Sequence, residues 1–311
     1  MLHLEDGRVT RLVDSEAAER VVRDAFVAWG RGEAATTQRV RATSATVPGM
    51  ASAMAAVVPP YCGGKLYATA DGHFTFVIVL FRTDGALLCT LDGDVITRLR
   101  TPAASAVAIE HLAAPDVTTA AVIGAGLQGW THVEMLQRAL PGLAELRISG
   151  RPGSQAAGEL VARAHERGIP ARQVGGPIDA VRGAQVIVTV TNATEPLFPS
   201  DAVGDDALIC AVGATKYDRA EIGPDLVERC GAVVCDDVVG SQTECGDLIQ
   251  AAAAGRFHWA DAIGLHEVAA GTVPVARAGS APVLFETQGV AIQDVAVAAL
   301  AYERHLAEIT E

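Results

Sequence analysis

Lysine is almost missing from this chain: of 24 basic side chains, 22 are arginine and two, Lys65 and Lys216, are lysine. Basic charge as a whole is also short, with 37 acidic side chains against those 24 and a formal net charge of −13. That balance disfavours a nucleic-acid backbone or an anionic membrane surface as the main partner and favours a small molecule. Close cysteine pairs are missing too. The six cysteines stand singly at 62, 89, 210, 230, 235 and 245, with no C-x-x-C and no tight Cys/His spacing. No metal site is expected, and they read as buried small hydrophobes in a reducing compartment. No apolar run reaches membrane-spanning length before a charge or glycine interrupts it. The opening "MLHLEDGRVTRLVDSEAAERVV" has no charged segment followed by an apolar one, so a cytoplasmic protein is expected. Internal repeats, low-complexity tracts and long polar linkers are absent as well.

What is there is a 311-residue chain, half of it hydrophobic, enough to bury a large core and to divide into two domains. Residues 15–29 carry Ala18, Val21, Val22, Ala25, Phe26 and Trp29 at helical spacing, with Ser15 as cap and Gly30 and Gly32 as stop. From 39 to 97 the runs "HFTFVIVLF" and "ALLCTL" read as strands of an antiparallel meander, punctuated by turns at Asp71-Gly72, Asp84-Gly85 and Asp92-Gly93. A helix over 101–113 follows, started by Pro102 near its first turn. The grammar then changes. "ELRISG", "AQVIVTVT", "ALICAVG" and "AVVCDD" are short, continuously apolar strands alternating with helical stretches, the mark of a parallel sheet buried on both faces. The expected fold is α/β: a Rossmann dinucleotide-binding domain over 114–289 and an α+β substrate and dimerisation domain over 1–113, to which a C-terminal helix over 290–311 returns.

Gly124, Gly126 and Gly129 in "VIGAGLQG" have the G-x-G-x-x-G spacing between a strand and a helix. The first lets the chain turn, the second lets backbone approach a pyrophosphate, and the third lets helix and strand pack closely. A purely structural glycine turn is the alternative. About 20 residues on, where an acid would hold a ribose 2′-hydroxyl, "RISGRPGS" has none and supplies Ser149, Arg151 and Ser154 instead. These suit a 2′-phosphate, so NADP(H) is preferred and NAD(H) kept as the alternative. Arg151 has a second reading as a solvated surface charge.

Arg39 and Arg41 sit two apart, on one face if that stretch is a strand, and Arg98 and Arg100 repeat the arrangement. Guanidinium forks recognise carboxylates bidentately, but composition alone singles out none of 22 arginines. Lysine is different, because burial lowers its pKa far enough for it to give and take protons, which a guanidinium does not do. Lys65 and Lys216 are therefore both candidates for proton transfer.

Taken together, "QRVR", "MAAVVPPYCGGKLYA", "LDGDVITRLRTPAASAVA", "VIGAGLQG", "AVGATKYDRAEI", "DDVVGSQTECGDL" and "VLFETQGVAIQDVAVAAL" resemble the ornithine cyclodeaminase and mu-crystallin family over nearly the whole chain. The resemblance implies a two-domain homodimer, with a nucleotide-binding domain facing a substrate domain whose sheet contributes to the dimer interface. It makes Lys65 the acid/base, Arg100 a ligand of the substrate carboxylate, and Arg39 its partner with Arg41 as alternative. It places Asp294 near the nicotinamide end of the pocket. Thr101, Leu127, Gln128, Thr191 and Gly213 complete the expected cofactor-binding set.

One position departs from the family pattern. Where ornithine cyclodeaminases carry an aspartate just after "VGG" or "VGA", this chain has Thr215, and a hydroxyl cannot serve as a carboxylate base or hold a distal ammonium with full charge. The expectation is thus an NADPH-dependent reductase of α-imino acids, by ketimine or imine reduction or reductive amination of an α-keto acid. The alternatives are an ornithine or lysine cyclodeaminase with internally recycled cofactor, and an NADPH-dependent binding protein without turnover.

Overall fold

Alternating apolar runs in the first hundred residues and continuous ones thereafter build two different sheets. The computed structural model describes residues 1–46, 49–70 and 73–310. It divides into one unit of 1–104 plus the chain from Gly289 onward, and a second unit spanning Ser105–Gln288.

The first unit begins with β1 (Leu2–Leu4), α1 (Asp6–Leu12) and α2 (Ser15–Gly30). Then come β2 (Ala35–Thr36), β3 (Val40–Thr43), β4 (Met50–Val58), β5 (Tyr61–Ala70), β6 (His73–Arg82), β7 (Leu87–Asp92) and α3 (Asp94–Leu112), which from Ser105 on belongs to the second unit. The sheet order is β1-β7-β6-β5-β4-β2, with β3 also on β4. All pairs are antiparallel except β1 with β7. On β5 the register sets Lys65 between Met54 and Ile78, and Tyr67 between Ser52 and Phe76. The opposite face is apolar and open: Ala53, Leu66 and Val77 form one row, Ala55, Gly64 and Val79 the next, and Val57, Cys62 and Phe81 a third, with Leu66 51% exposed and Val57 42% exposed.

The second unit runs β8 (Thr119–Ile123), α4 (Leu127–Ala139), β9 (Glu145–Ser149), α5 (Ala156–Glu166), β10 (Ala171–Gln173), α6 (Pro177–Val181) and β11 (Val186–Thr189). It continues with β12 (Leu208–Ala211), α7 (Pro224–Arg229), β13 (Ala232–Cys235), α8 (Val238–Glu244), α9 (Gly246–Ala253), β14 (Ala262–Gly264), α10 (Leu265–Ala269) and β15 (Val283–Glu286). Its eight strands are all parallel, in the order β10-β9-β8-β11-β12-β15-β13-β14. Every residue of β11, β12 and β15 is buried, as expected of strands covered on both faces, and each large apolar side chain so placed stabilises the fold by about 1.5–3 kcal/mol. The strand order reverses between β8 and β11, the crevice where open α/β sheets take ligands.

The last helix, α11 (Ala291–Thr310), belongs to the first unit, where it lies across β4, β5 and β6 and packs on α2. Its first three turns are buried almost throughout. Among the described residues, no helix is long and apolar enough to cross a membrane. The six cysteines are free thiols, with Cys89, Cys210, Cys235 and Cys245 buried and Cys62 and Cys230 half-buried.

Local readings of the sequence need several corrections. The helix over 101–113 starts much earlier, at Asp94, and Pro102 lies inside it. Asp6 Oδ1 accepts the Val95 N–H at 2.9 Å and anchors the start, so a tertiary contact overrides the preference for proline in the first turn. Arg98 and Arg100 are therefore helical and not two apart on a strand face; Arg100 is buried and Arg98 half-buried. Asp92-Gly93 is no hairpin turn but the junction of β7 and α3, where a Cβ on Gly93 would stand 2.6 Å from Phe76 Cβ. Asp84-Gly85 does turn the chain, with Gly85 at φ +92°, whereas Asp71-Gly72 lies outside the described residues. The cap of α2 is Asp14, whose carboxylate accepts the Ala17 N–H at 2.8 Å, and Ser15 is the first helical residue.

This last point is testable by chemical denaturation. Asp14→Ala removes the cap and lowers unfolding free energy by about 1 kcal/mol. Ser15→Ala stays within a few tenths of that of the wild type. The reverse order would restore Ser15 as the cap.

Candidate active site

Lysine at position 65 is placed by strand alternation on the covered face of β5, where it is only 2% exposed. Its ammonium donates to Asp294 Oδ1 at 3.1 Å and to Thr97 Oγ1 at 2.5 Å, and it stands 4.3 Å from the centre of the Phe76 ring. Thr97 Oγ1 in turn donates to the Gly93 carbonyl at 2.6 Å, which fixes the hydroxyl as acceptor toward the lysine. Asp294 is fully buried in the first turn of α11, where the helix N-terminus favours a negative charge. Its Oδ2 has no hydrogen-bond partner.

Two guanidiniums meet one backbone segment beside this pair. Arg100, from α3, donates to Gln293 Oε1 at 3.0 Å and holds Nε 3.7 Å from Asp294 Oδ1. Arg39, just before β3, donates to the Gly289 carbonyl at 3.0 Å. Gly289 has φ +85°, a conformation that favours glycine, and a Cβ there would lie 2.3 Å from Arg100 Nη1 and displace the guanidinium. Arg41 is exposed on β3, and the arrangement around Lys65 is made with Arg39. Lys216, the other lysine, is exposed.

Burial lowers the Lys65 pKa from its ordinary 10.5 to about 8; Asp294 pulls it up, while Arg100 and Arg39 push it down. The group is thus mostly protonated at neutral pH yet near enough to give up its proton, as a general acid must be. Beside it on the same sheet face, Tyr67, Phe74 and Phe76 form an aromatic cluster, with Phe74 and Phe76 stacked at 5.7 Å.

In the second unit, Gly124 turns at φ +121° and a Cβ would stand 2.3 Å from the Val190 carbonyl oxygen, while one on Gly129 would stand 2.0 Å from that of Gly124. A Cβ on Gly126 would meet nothing within 4 Å, so backbone there is open to a large anion. Gly126 is the N-cap of α4, with Leu127 and Gln128 in the first turn, and this helix end suits a pyrophosphate. At the end of β9, the Ser149 hydroxyl is buried with no partner, a polar atom that a ribose or its phosphate would satisfy. Arg151 is exposed just beyond, whereas Ser154 accepts the Ala156 N–H at 3.2 Å at the start of α5. These residues fit a nicotinamide dinucleotide.

The remaining positions are less free than the sequence suggests. The Thr101 hydroxyl donates to the Thr97 carbonyl at 2.7 Å within α3. The N–H groups of Thr191 and Gly213 both donate to Glu221. Thr215 is half-buried and its N–H donates to the Gly213 carbonyl at 2.9 Å. Sequence reading missed Thr97, Gly289, Gln293 and Glu221, because each acts through a partner far along the chain; only the glycine at 289 carries a signal, in the short stretch "ETQGVA" before α11. No group of three His, Cys, Asp or Glu among the described residues is arranged to hold a metal ion.

Comparison with known proteins identifies relatives of the chain over nearly its whole length. The family model for the ornithine cyclodeaminase/mu-crystallin family matches residues 2–308. Ketimine reductase mu-crystallin of Macropus fuliginosus is 32% identical over 243 residues, 78% of this chain and 73% of that protein. The structure of Thermococcus litoralis Δ1-pyrroline-2-carboxylate reductase in complex with NADH and L-proline superposes with a TM-score of 0.92 at 25% identity, covering 99% of this chain and 98% of that one. An archaeal alanine dehydrogenase dimer with bound NAD gives 0.92 at 26% identity, covering 99% and 97%.

The pair of lysines makes the Lys65 environment directly measurable. In protein labelled with 13C-lysine, two side-chain signals are expected, and the one lost in Lys65→Met titrates near 8. Asp294→Asn, which removes the group that pulls the value up, moves it lower still. Since the folded protein releases this proton before the unfolded chain does, this group makes stability rise with pH between about 8 and 10.5. Titration of that signal near 10.5 would contradict the burial.

Proposed function

Because the chain belongs to the ornithine cyclodeaminase/mu-crystallin family, we propose that it is an NADPH-dependent reductase of α-imino acids, acting on ketimines, cyclic imines or the imine of an α-keto acid and an amine. The observation that carries this reading is the buried Lys65–Asp294 pair at 3.1 Å beside the two guanidiniums at Gly289.

Arg100 and Arg39 take the substrate carboxylate, each fork offering parallel N–H donors, and so fix the imine carbon relative to the lysine. Lys65 Nζ gives its proton to the imine nitrogen, which becomes the amine of the product, and Asp294 and Thr97 hold the ammonium in place for that transfer. A bound reduced nicotinamide supplies the hydride that the carbon accepts. Gly124, Gly126 and Gly129, with Leu127 and Gln128, would hold its pyrophosphate, and Ser149 and Arg151 its adenosine end. That serine and arginine, without an acid beside them, are the reason for preferring NADP(H), with NAD(H) as the alternative. Tyr67, Phe74 and Phe76 beside the ammonium favour substrates with an apolar side chain or ring.

The open apolar face of the first unit's sheet, with Leu66, Val57 and their cross-strand neighbours, is the surface on which a second copy would pack, giving a homodimer. Exposed contiguous apolar surface of this kind marks an interaction site.

The test is a panel of cyclic imino acids, and of keto acids with amines, offered with NADPH and NADH in parallel in cytoplasm-like buffer. Nucleotide is consumed with at least one imino acid, faster with NADPH. Lys65→Ala lowers kcat/KM by about 10² to 10⁴, and Arg100→Gln raises KM for the imino acid. Unchanged turnover in Lys65→Ala removes the proposed role. Ammonia released from ornithine or lysine without net change in nicotinamide absorbance would make the protein a cyclodeaminase, and tight NADPH binding with no turnover would make it a binding protein.

A further inference from the structure

The chain after β12 folds back past the ends of two central strands of the second unit, and Glu221, on that return, is fully buried. Its carboxylate is held by neutral donors. Oε2 accepts the Thr189 hydroxyl at 2.9 Å and the Gly213 N–H at 2.7 Å, and Oε1 accepts the Thr191 N–H at 2.6 Å. Thr189 is the last residue of β11, Thr191 lies just beyond it, and Gly213 follows β12. One side chain therefore ties together the C-terminal ends of both strands. The backbone of Glu221 is itself anchored, since its N–H and that of Ile222 donate to Asp247 Oδ1 at 2.7 and 3.0 Å, and its carbonyl accepts the Leu197 N–H at 2.9 Å.

These strand ends border the point where the sheet order reverses. Val190, between the two threonines, donates to the Ile123 carbonyl at 2.9 Å, and its own carbonyl oxygen sits where a Cβ on Gly124 would have to go. The glycine-rich turn thus rests on the same loop that Glu221 grips. Gly213 shows how closely the carboxylate approaches: a Cβ there would stand 2.6 Å from both Glu221 Cδ and Oε1.

We infer that Glu221 is a positioning residue of the dinucleotide site, acting through Thr191 and Gly213 to hold the loops after β11 and β12 at the spacing that a nicotinamide dinucleotide needs. This rests on the dinucleotide-binding reading above. A carboxylate is suited to the task because three donors converge on it; a glutamine offers one acceptor oxygen and turns an NH₂ group toward at least one N–H. Burying a carboxylate is costly unless it is hydrogen-bonded, and here both oxygens accept at least one hydrogen bond.

The experiment uses the full chain as wild type, Glu221→Gln and Thr189→Val. It reads dissociation constants for NADPH and NADH by nucleotide fluorescence, and amide hydrogen exchange of the segments holding Thr191 and Gly213 without nucleotide. In Glu221→Gln, exchange of both segments speeds by about tenfold or more, and both dissociation constants rise by about tenfold or more at unchanged binding stoichiometry. Thr189→Val, which removes one donor and leaves the carboxylate, weakens binding by about two- to fivefold and decides the matter on the same two readouts if the glutamine variant does not fold. Dissociation constants within twofold of wild type in a folded Glu221→Gln protein, or in Thr189→Val where that variant decides, overturn the inference while leaving the dinucleotide site standing. A wild-type chain that binds neither nucleotide overturns the dinucleotide reading itself.

Discussion

The ion pair between Lys65 and Asp294 is the interaction around which the first unit is arranged. Both side chains are almost completely removed from water, and breaking such a pair by removing one partner strands a buried charge at a cost of about 3–5 kcal/mol. Three elements converge to make it: β5 supplies the lysine, α11 the aspartate, and α3 the threonine that takes a further ammonium hydrogen. The return of the last helix across β4, β5 and β6 is thus a condition of the ion pair as well as of the packing. The proposed proton transfer suits lysine, because the same burial that lowers its pKa to about 8 would leave a guanidinium charged.

The second unit solves a different problem. Parallel strands buried on both faces end at one edge, and their loops must be held by something other than the sheet. The glycine turn after β8 packs on the loop after β11, and Glu221 joins that loop to the one after β12. The Thr191 and Gly213 N–H groups, which look like ligand donors from their place in the chain, are used internally. The clear space above Gly126 is what stays open to a ligand, with the buried, unpartnered Ser149 hydroxyl at the end of β9.

Much of this was legible in the residues alone. Continuous against alternating apolar runs separate the two sheets, the spacing of Gly124, Gly126 and Gly129 marks the turn between β8 and α4, and the scarcity of lysine singles out positions 65 and 216. Composition could not choose between those two; alternation along β5 does, by burying one, while the other lies exposed in a loop. The reading failed where distant contacts override local preference. Asp6 starts α3 eight residues before Pro102, which turns Arg98 and Arg100 away from each other, and Asp14 rather than Ser15 closes α2. Thr97 and Gln293 carry no signature of their own, because each matters through a lysine or arginine far from it in the chain. Asp294 was placed near the reacting end by resemblance, but its pairing with Lys65 follows only from the fold.

In the proposed function, the guanidiniums of Arg39 and Arg100 bring a carboxylate close to the Lys65 ammonium. The most direct measurement of this is the Lys65 titration in 13C-lysine-labelled protein with and without saturating pyrrole-2-carboxylate, a flat acid that resembles a cyclic imino acid, using pyrrole-2-carboxamide as control. A nearby anion offsets the two arginines that depress the value, so the carboxylate raises the Lys65 pKa and the carboxamide does not. An unchanged value with the acid bound, or the same rise with the amide, would contradict the account.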